Sequence, residues 1–253
     1  MKLLAKLSGR SIYGAIALFA IWCILSYSRW IGKTLIATPG EVFDVYLKAF
    51  SPNRLSEEFF THAWYTITLT FHGWIISLFF GTIFGLLLAV DKRVYSNFEI
   101  IIDFFRSVPP ILAFPLMLVA YNYGYDAYKY TIIFGCLPLV VVTVAQKVKD
   151  ISKSRSLLLK SFGVSPIVRF ITRGVEVLPG IILAARLTFS FALIIAIVTE
   201  MVFTPRSGYA IGALARDSEI NFDTPVFYAC VIFAGIVGYL INELLKTLEG
   251  KFI

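Results

Sequence analysis

Long apolar runs separated by short charged intervals set the frame of this chain. A helix crossing the hydrocarbon core of a bilayer needs about 20 apolar residues. Six segments approach that requirement: residues 11–27, 64–90, 100–121, 130–145, 181–203 and 226–245. The third is interrupted by Pro109, Pro110 and Pro115. No stretch alternates with a period of two, so no strand is predicted. The pattern predicts an all-α, polytopic membrane protein with about six transmembrane helices, forming one domain over residues 1–253.

The interval between the fourth and fifth runs, about residues 146–180, has a pattern of its own. Ser165-Pro166 has the form of a helix start, a serine N-cap followed by proline in the first helical position. Ile167, Phe170, Ile171 and Val175 then recur at helical spacing, while Arg169, Thr172 and Arg173 fall on other faces. Upstream, Leu158 and Phe162 stand four apart on a second short helix that Gly163 can end in a left-handed cap. The interval reads as helix, glycine turn, helix. Its periodicity suits both an amphipathic pair on anionic lipid and a knob for a partner protein.

Charge gives the orientation. Only 15% of residues are charged, against about 25% in soluble domains. The net charge of +7 is distributed unevenly. Lys2, Lys6, Arg10, Lys92, Arg93, Lys147, Lys149, Lys153, Arg155, Lys160, Arg169, Arg173, Lys246 and Lys251 fall on one side of a six-span topology. By the positive-inside rule that side is cytoplasmic, with both termini. No basic stripe with stacking aromatics points to nucleic acid. The stretch after the first apolar run lacks a small-residue cleavage site, so that run is expected to be retained.

The chemistry is sparse. Gly32-Lys33-Thr34 echoes the end of a phosphate-binding loop, but Tyr27 stands where its first glycine belongs. His62 and His72 are isolated, and Cys23, Cys136 and Cys230 lie in apolar runs without metal spacing. No catalytic, cofactor or metal site is expected, so any ATP and Mg must be bound by another chain. Gly81 and Gly85, with Ser77 a turn earlier, allow close helix contact. The prolines at 109, 110 and 115 free backbone carbonyls, which fits a packing kink and a pore lining equally. Arg186 and Glu200 are ionisable residues near opposite ends of one apolar run, open to snorkelling or to a role on a transport path.

Several stretches together resemble the permease subunits of binding-protein-dependent (type I) ABC importers. The 146–180 interval is similar to their cytoplasmic coupling loop, with Gly163 at the glycine position and Leu178-Pro179 at its close. Leu157, Leu158 and Leu159 replace the usual E-A-A element. "TPGEVF", "FFRSVPPILAFPLMLVAYNYG", "ARLTFSFALIIAIVTEM" and "SGYAIGALARD" resemble, in order, segments of the nitrate, sulfonate, taurine and bicarbonate subfamily. The resemblance implies a six-helix permease in the bacterial inner membrane, acting as a homodimer with a cytoplasmic ABC ATPase dimer and an external substrate-binding protein. Leu158, Leu159, Lys160, Ser161, Phe162, Gly163, Val164, Ser165 and Pro166 would form the ATPase-coupling element. Pro109, Pro110, Arg186, Glu200, Ser207 and Gly208 are candidates for the pathway or gate. The substrate would be a small anion, with a thiamine precursor or an aromatic acid as alternatives. A secondary transporter working without an ATPase would need an internal repeat or a charged mid-helix relay, and the sequence has neither.

Overall fold

The computed structural model describes residues 9–28, 32, 35–50, 54–89, 92–150 and 161–250. Among them are nine helices: α1 (Gly9–Tyr27), α2 (Pro39–Phe50), α3 (Arg54–Leu88), α4 (Lys92–Ser107), α5 (Pro110–Ala120), α6 (Tyr125–Asp150), α7 (Pro166–Val202), α8 (Ile211–Ile220) and α9 (Thr224–Glu249). Four of them, α3, α6, α7 and α9, are long and apolar enough to cross a membrane, and the α4–α5 pair makes a fifth if it counts as one span. The described part of α1 adds a shorter apolar stretch, Tyr13–Tyr27.

The centre of the bundle is α3 against α6, with α7 across both. Leu69 and Trp74 of α3, Phe114 of α5, Tyr128 and Ile132 of α6, and Phe189 and Ile195 of α7 share one buried core. Small residues let α3 and α6 meet. A β-carbon at Gly81 would stand 2.7 Å from Val140 Cβ, and one at Gly85 would stand 2.9 Å from the Val141 carbonyl oxygen. That is the close helix contact expected from the sequence. Buried hydroxyls return to their own helices: Thr70 donates to the Thr66 carbonyl, Ser77 to Gly73 and Thr188 to Ala184. Such bonds satisfy polar atoms where water is absent.

Two expectations are revised. The third apolar run is not a straight span. It is a pair, α4 and α5, bent by 87°. Pro109 disfavours helical backbone at Val108, and Pro110 opens the next helix at its first position. Pro115 stays inside α5. The fifth run is also longer than hydropathy suggested. α7 runs unbroken for 37 residues from Pro166, through Pro179, to Val202, so residues 166–180 form its first turns and not a separate surface helix.

All three cysteines are free, with Cys136 and Cys230 buried and Cys23 half-buried. Among the described residues no group of His, Cys, Asp and Glu could hold a metal ion.

Candidate coupling and gating elements

α7 carries a different structure at each end. Near its start, Gly163 adopts φ +66°, a left-handed conformation open to glycine at little cost. A β-carbon there would meet nothing within 4 Å. Ser165 then caps the helix, its Oγ accepting from the Val168 N–H at 3.4 Å, with Pro166 next in line. The glycine turn and serine cap expected from the sequence are thus both present. Phe162 is 78% exposed, and Ile167 is exposed beside it. An apolar knob therefore projects at the end of the bundle where α6 finishes in Lys147 and Lys149. Leu158, Leu159 and Lys160 lie outside the described residues, as do the side chains of Pro166, Phe170, Ile171 and Val175.

Part-way along α7, Arg186 is tied to α9. Its Nε donates to Asn242 Oδ1 at 3.1 Å, and its Nη1 pairs with Glu249 Oε2. About a fifth of its side chain is exposed. The guanidinium holds two helices together near the basic end of the bundle.

At the opposite end Glu200 is fully buried, which excludes snorkelling to an interface. Its carboxylate holds the start of α8. Oε2 accepts the Gly212 N–H at 3.0 Å, and Thr66 Oγ1 of α3 donates to the same carboxylate. Thr66 Oγ1 also accepts the Ile211 N–H at 2.9 Å, and His62 Nδ1 accepts the Ala210 N–H at 2.8 Å. The first N–H groups of a helix have no partner within it. The N-cap residue Ala210 has no side-chain acceptor to offer, so α3 and α7 supply the acceptors instead. The contact is also close in space. A β-carbon on Gly212 would lie 2.3 Å from the Ile197 carbonyl oxygen, so only glycine lets α8 rest on the α7 backbone. The preceding loop is exposed at Ser207, and Gly208 takes φ +74°.

The α4–α5 break sits beside α6. A β-carbon on Gly135 would come within 2.6 Å of the Pro110 ring, which puts the break near the middle of α6. The outer face of α5, with Leu112, Leu116 and Val119, is open and apolar.

Thr66 was not among the residues singled out from the sequence, and His62, which reads as isolated there, is bonded to the Ala210 backbone. Both lie on one face of α3, four apart, and their partners are well over a hundred positions away. The only local signal was two polar residues at helical spacing in an apolar run.

The family model for the binding-protein-dependent transport system inner membrane component matches residues 77–252. A Bacillus subtilis protein named as an aliphatic sulfonates transport permease, SsuC, is 22% identical over 98% of this chain and 90% of its own length. The nitrate import permease protein NrtB of Leptolyngbya laminosa is 20% identical over 99% of this chain and 91% of its own. Among solved structures, a chain of the inward-facing MetNI methionine ABC transporter superposes with a TM-score of 0.68 at 19% identity, covering 76% of this chain and 94% of that one. That likeness concerns the fold.

Proposed function

From a chain that belongs to the family of binding-protein-dependent transport system inner membrane components, we propose a permease for a small anion, such as a sulfonate, taurine, nitrate or bicarbonate. The family fixes the coarser part. The chain is the permease subunit of a bacterial ABC importer, a multi-pass membrane protein that is not itself catalytic and that works with ATPase subunits and a binding protein. The names of its distant relatives support the anion.

In this reading two copies form the pathway and two ATPases sit on the basic, cytoplasmic side, where both termini lie. The Gly163 turn, with Phe162 at its tip and residues 158–166 around it, enters a groove of the ATPase. One observation carries the mechanism: a single unbroken helix joins that turn to Glu200. At 1.5 Å per residue α7 is about 55 Å long. A push on the turn is carried along that one helix, through Pro179, to α8, which Glu200 and Gly212 fix to the far end. α8 and the Ser207–Gly208 loop then act as the outer gate.

The reading is tested by purifying the tagged chain with its membrane partners and reconstituting them. An ABC ATPase and a second permease copy should co-purify, and vesicles should accumulate one of the four anions only with ATP and the binding protein. Uptake driven by an ion gradient alone would overturn it.

A further inference from the structure

α4 carries two stripes that call for different surroundings. Val94, Phe98, Ile101 and Phe105 recur at helical spacing and are exposed, with Ile100, Phe104 and Asn97 beside them. On the opposite side of the helix Ser96, Glu99, Asp103, Arg106 and Ser107 form a polar stripe. Asp103 pairs with Arg106 at 3.1 Å, and both side chains are half-exposed. Two contacts with α6 give the depth of the stripe. Tyr95 is buried, with Lys149 Nζ over its ring at 3.2 Å. Phe105 meets Phe134 edge to face, with ring centroids 5.9 Å apart. Tyr95 and Phe105 are about 15 Å apart along α4, and Lys149 and Phe134 about 22 Å apart along α6. α4 therefore runs inward beside α6 from its basic end, and the polar stripe continues well inside the Tyr125–Lys149 span.

Charged groups at that depth face protein or water, not hydrocarbon. Arginine can reach an interface along its stem, but the stems of Glu99 and Asp103 are too short. Leu187, Ile194 and Val198 of α7 and Ile236, Leu240 and Leu244 of α9 give the contrast of exposed residues suited to lipid or to another helix. We infer that the polar stripe of α4 is one wall of a water-filled solute path in the cytoplasmic half of the membrane, leading to the break at Pro109 and Pro110. The inference rests on the permease reading and adds the wall to it. A second copy would be a poorer cover. Helices packed in a membrane meet through small residues. Here three charges would lose their water, and the Asp103–Arg106 pair, already closed on its own helix, would gain no partner in return. Water in the path leaves all three solvated.

The test uses the complete complex in vesicles, with a charged, membrane-impermeant thiosulfonate on the side that carries the ATPase. Single cysteines replace Ser96, Glu99 and Ser107 on the polar stripe and Phe98 and Ile101 on the apolar one. The parent chain, with Cys136 and Cys230 buried and Cys23 half-buried, gives the background. Ser96→Cys, Glu99→Cys and Ser107→Cys should label above that background, and Phe98→Cys and Ile101→Cys should not. A path open at both ends would leak, so Ser107→Cys, the deepest of the three, should lose its labelling in either the nucleotide-free or the ATP-bound state. Once labelled, it should lose uptake of the anion that the parent complex accumulates, while the ATPase still co-purifies. The label is added after assembly, so a folding defect does not produce that loss. Labelling of both stripes alike, labelling of Ser107→Cys at one rate in both states, or uptake that survives the label each puts α4 outside the path and overturns the inference. No labelling of the polar stripe in either state overturns it too, and a disulfide between copies at Ser107→Cys then names a second copy as the cover. A parent complex that takes up no solute with ATP and the binding protein sinks the permease reading instead, whichever stripe labels.

Discussion

The two ends of α7 are built on opposite principles. At the basic end the chain turns on a glycine with open space around it and presents Phe162 and Ile167 outward. At the other end a fully buried carboxylate, a threonine and a histidine meet successive N–H groups of α8, and glycine is needed for two backbones to touch. An exposed apolar knob gains by finding a partner. A buried polar cluster is complete in itself and loses by being disturbed, because orphaned groups there have no water to turn to. The same helix therefore carries one end suited to docking and one suited to fixing a neighbour in place.

Substitutions at the two ends should separate accordingly. The largest loss of stability is expected for Glu200→Leu. It leaves the Gly212 N–H and the Thr66 hydroxyl without their acceptor, at about 2 kcal/mol each, so melting of the detergent-purified chain should fall steeply. Glu200→Gln keeps an acceptor and should lose much less. Similar melting for both would show that the capping bonds do not carry the contact. Gly212→Ala comes next, at about 3 kcal/mol, because the new methyl meets the Ile197 carbonyl and not a movable side chain. Unchanged thermal stability in that variant would contradict the close approach.

At the basic end Ser165→Ala removes one cap and should cost about 1 kcal/mol, read as a small drop in melting temperature. Phe162→Asp is the smallest of all in stability, within about 0.5 kcal/mol, since its ring is 78% exposed. Its effect should appear elsewhere. A carboxylate would have to be desolvated on entering the ATPase groove, so uptake and substrate-stimulated ATPase activity should be lost while the protein folds and inserts normally. A Phe162→Asp variant that melts early but transports would reverse the assignment of the two ends.

Much of this was legible in the chain. The apolar runs located the long helices, Ser165-Pro166 and Gly163 located the turn, and Gly81 and Gly85 located the α3–α6 contact. The continuity of α7 was not legible, because residues 166–180 are too polar to read as part of a span and Pro179 suggests a stop. Inside the helix its cost is one backbone bond and a local clash, which the packing of Val177 and Ala184 against α6 helps to offset. The first half of α4, residues 92–99, was missed as well, since its charged residues lower its hydropathy below that of a span. The Glu200 cluster depends on residues far apart in sequence. A single chain marks each such residue only as a polar group out of place, and the partner becomes visible once the helices are packed.

The central claim, that the turn and α8 move together on one rigid helix, is open to a distance measurement. A spin label at Phe162 would disturb the knob, so Val164→Cys and Asn221→Cys are labelled instead, in complexes diluted so that one chain carries the pair. Pulsed electron paramagnetic resonance then reads the distance without nucleotide and with ATP bound. The account predicts one narrow distribution that does not change with nucleotide while uptake remains ATP-dependent. A distribution that shifts or splits on ATP binding would place a hinge between the two ends and contradict it.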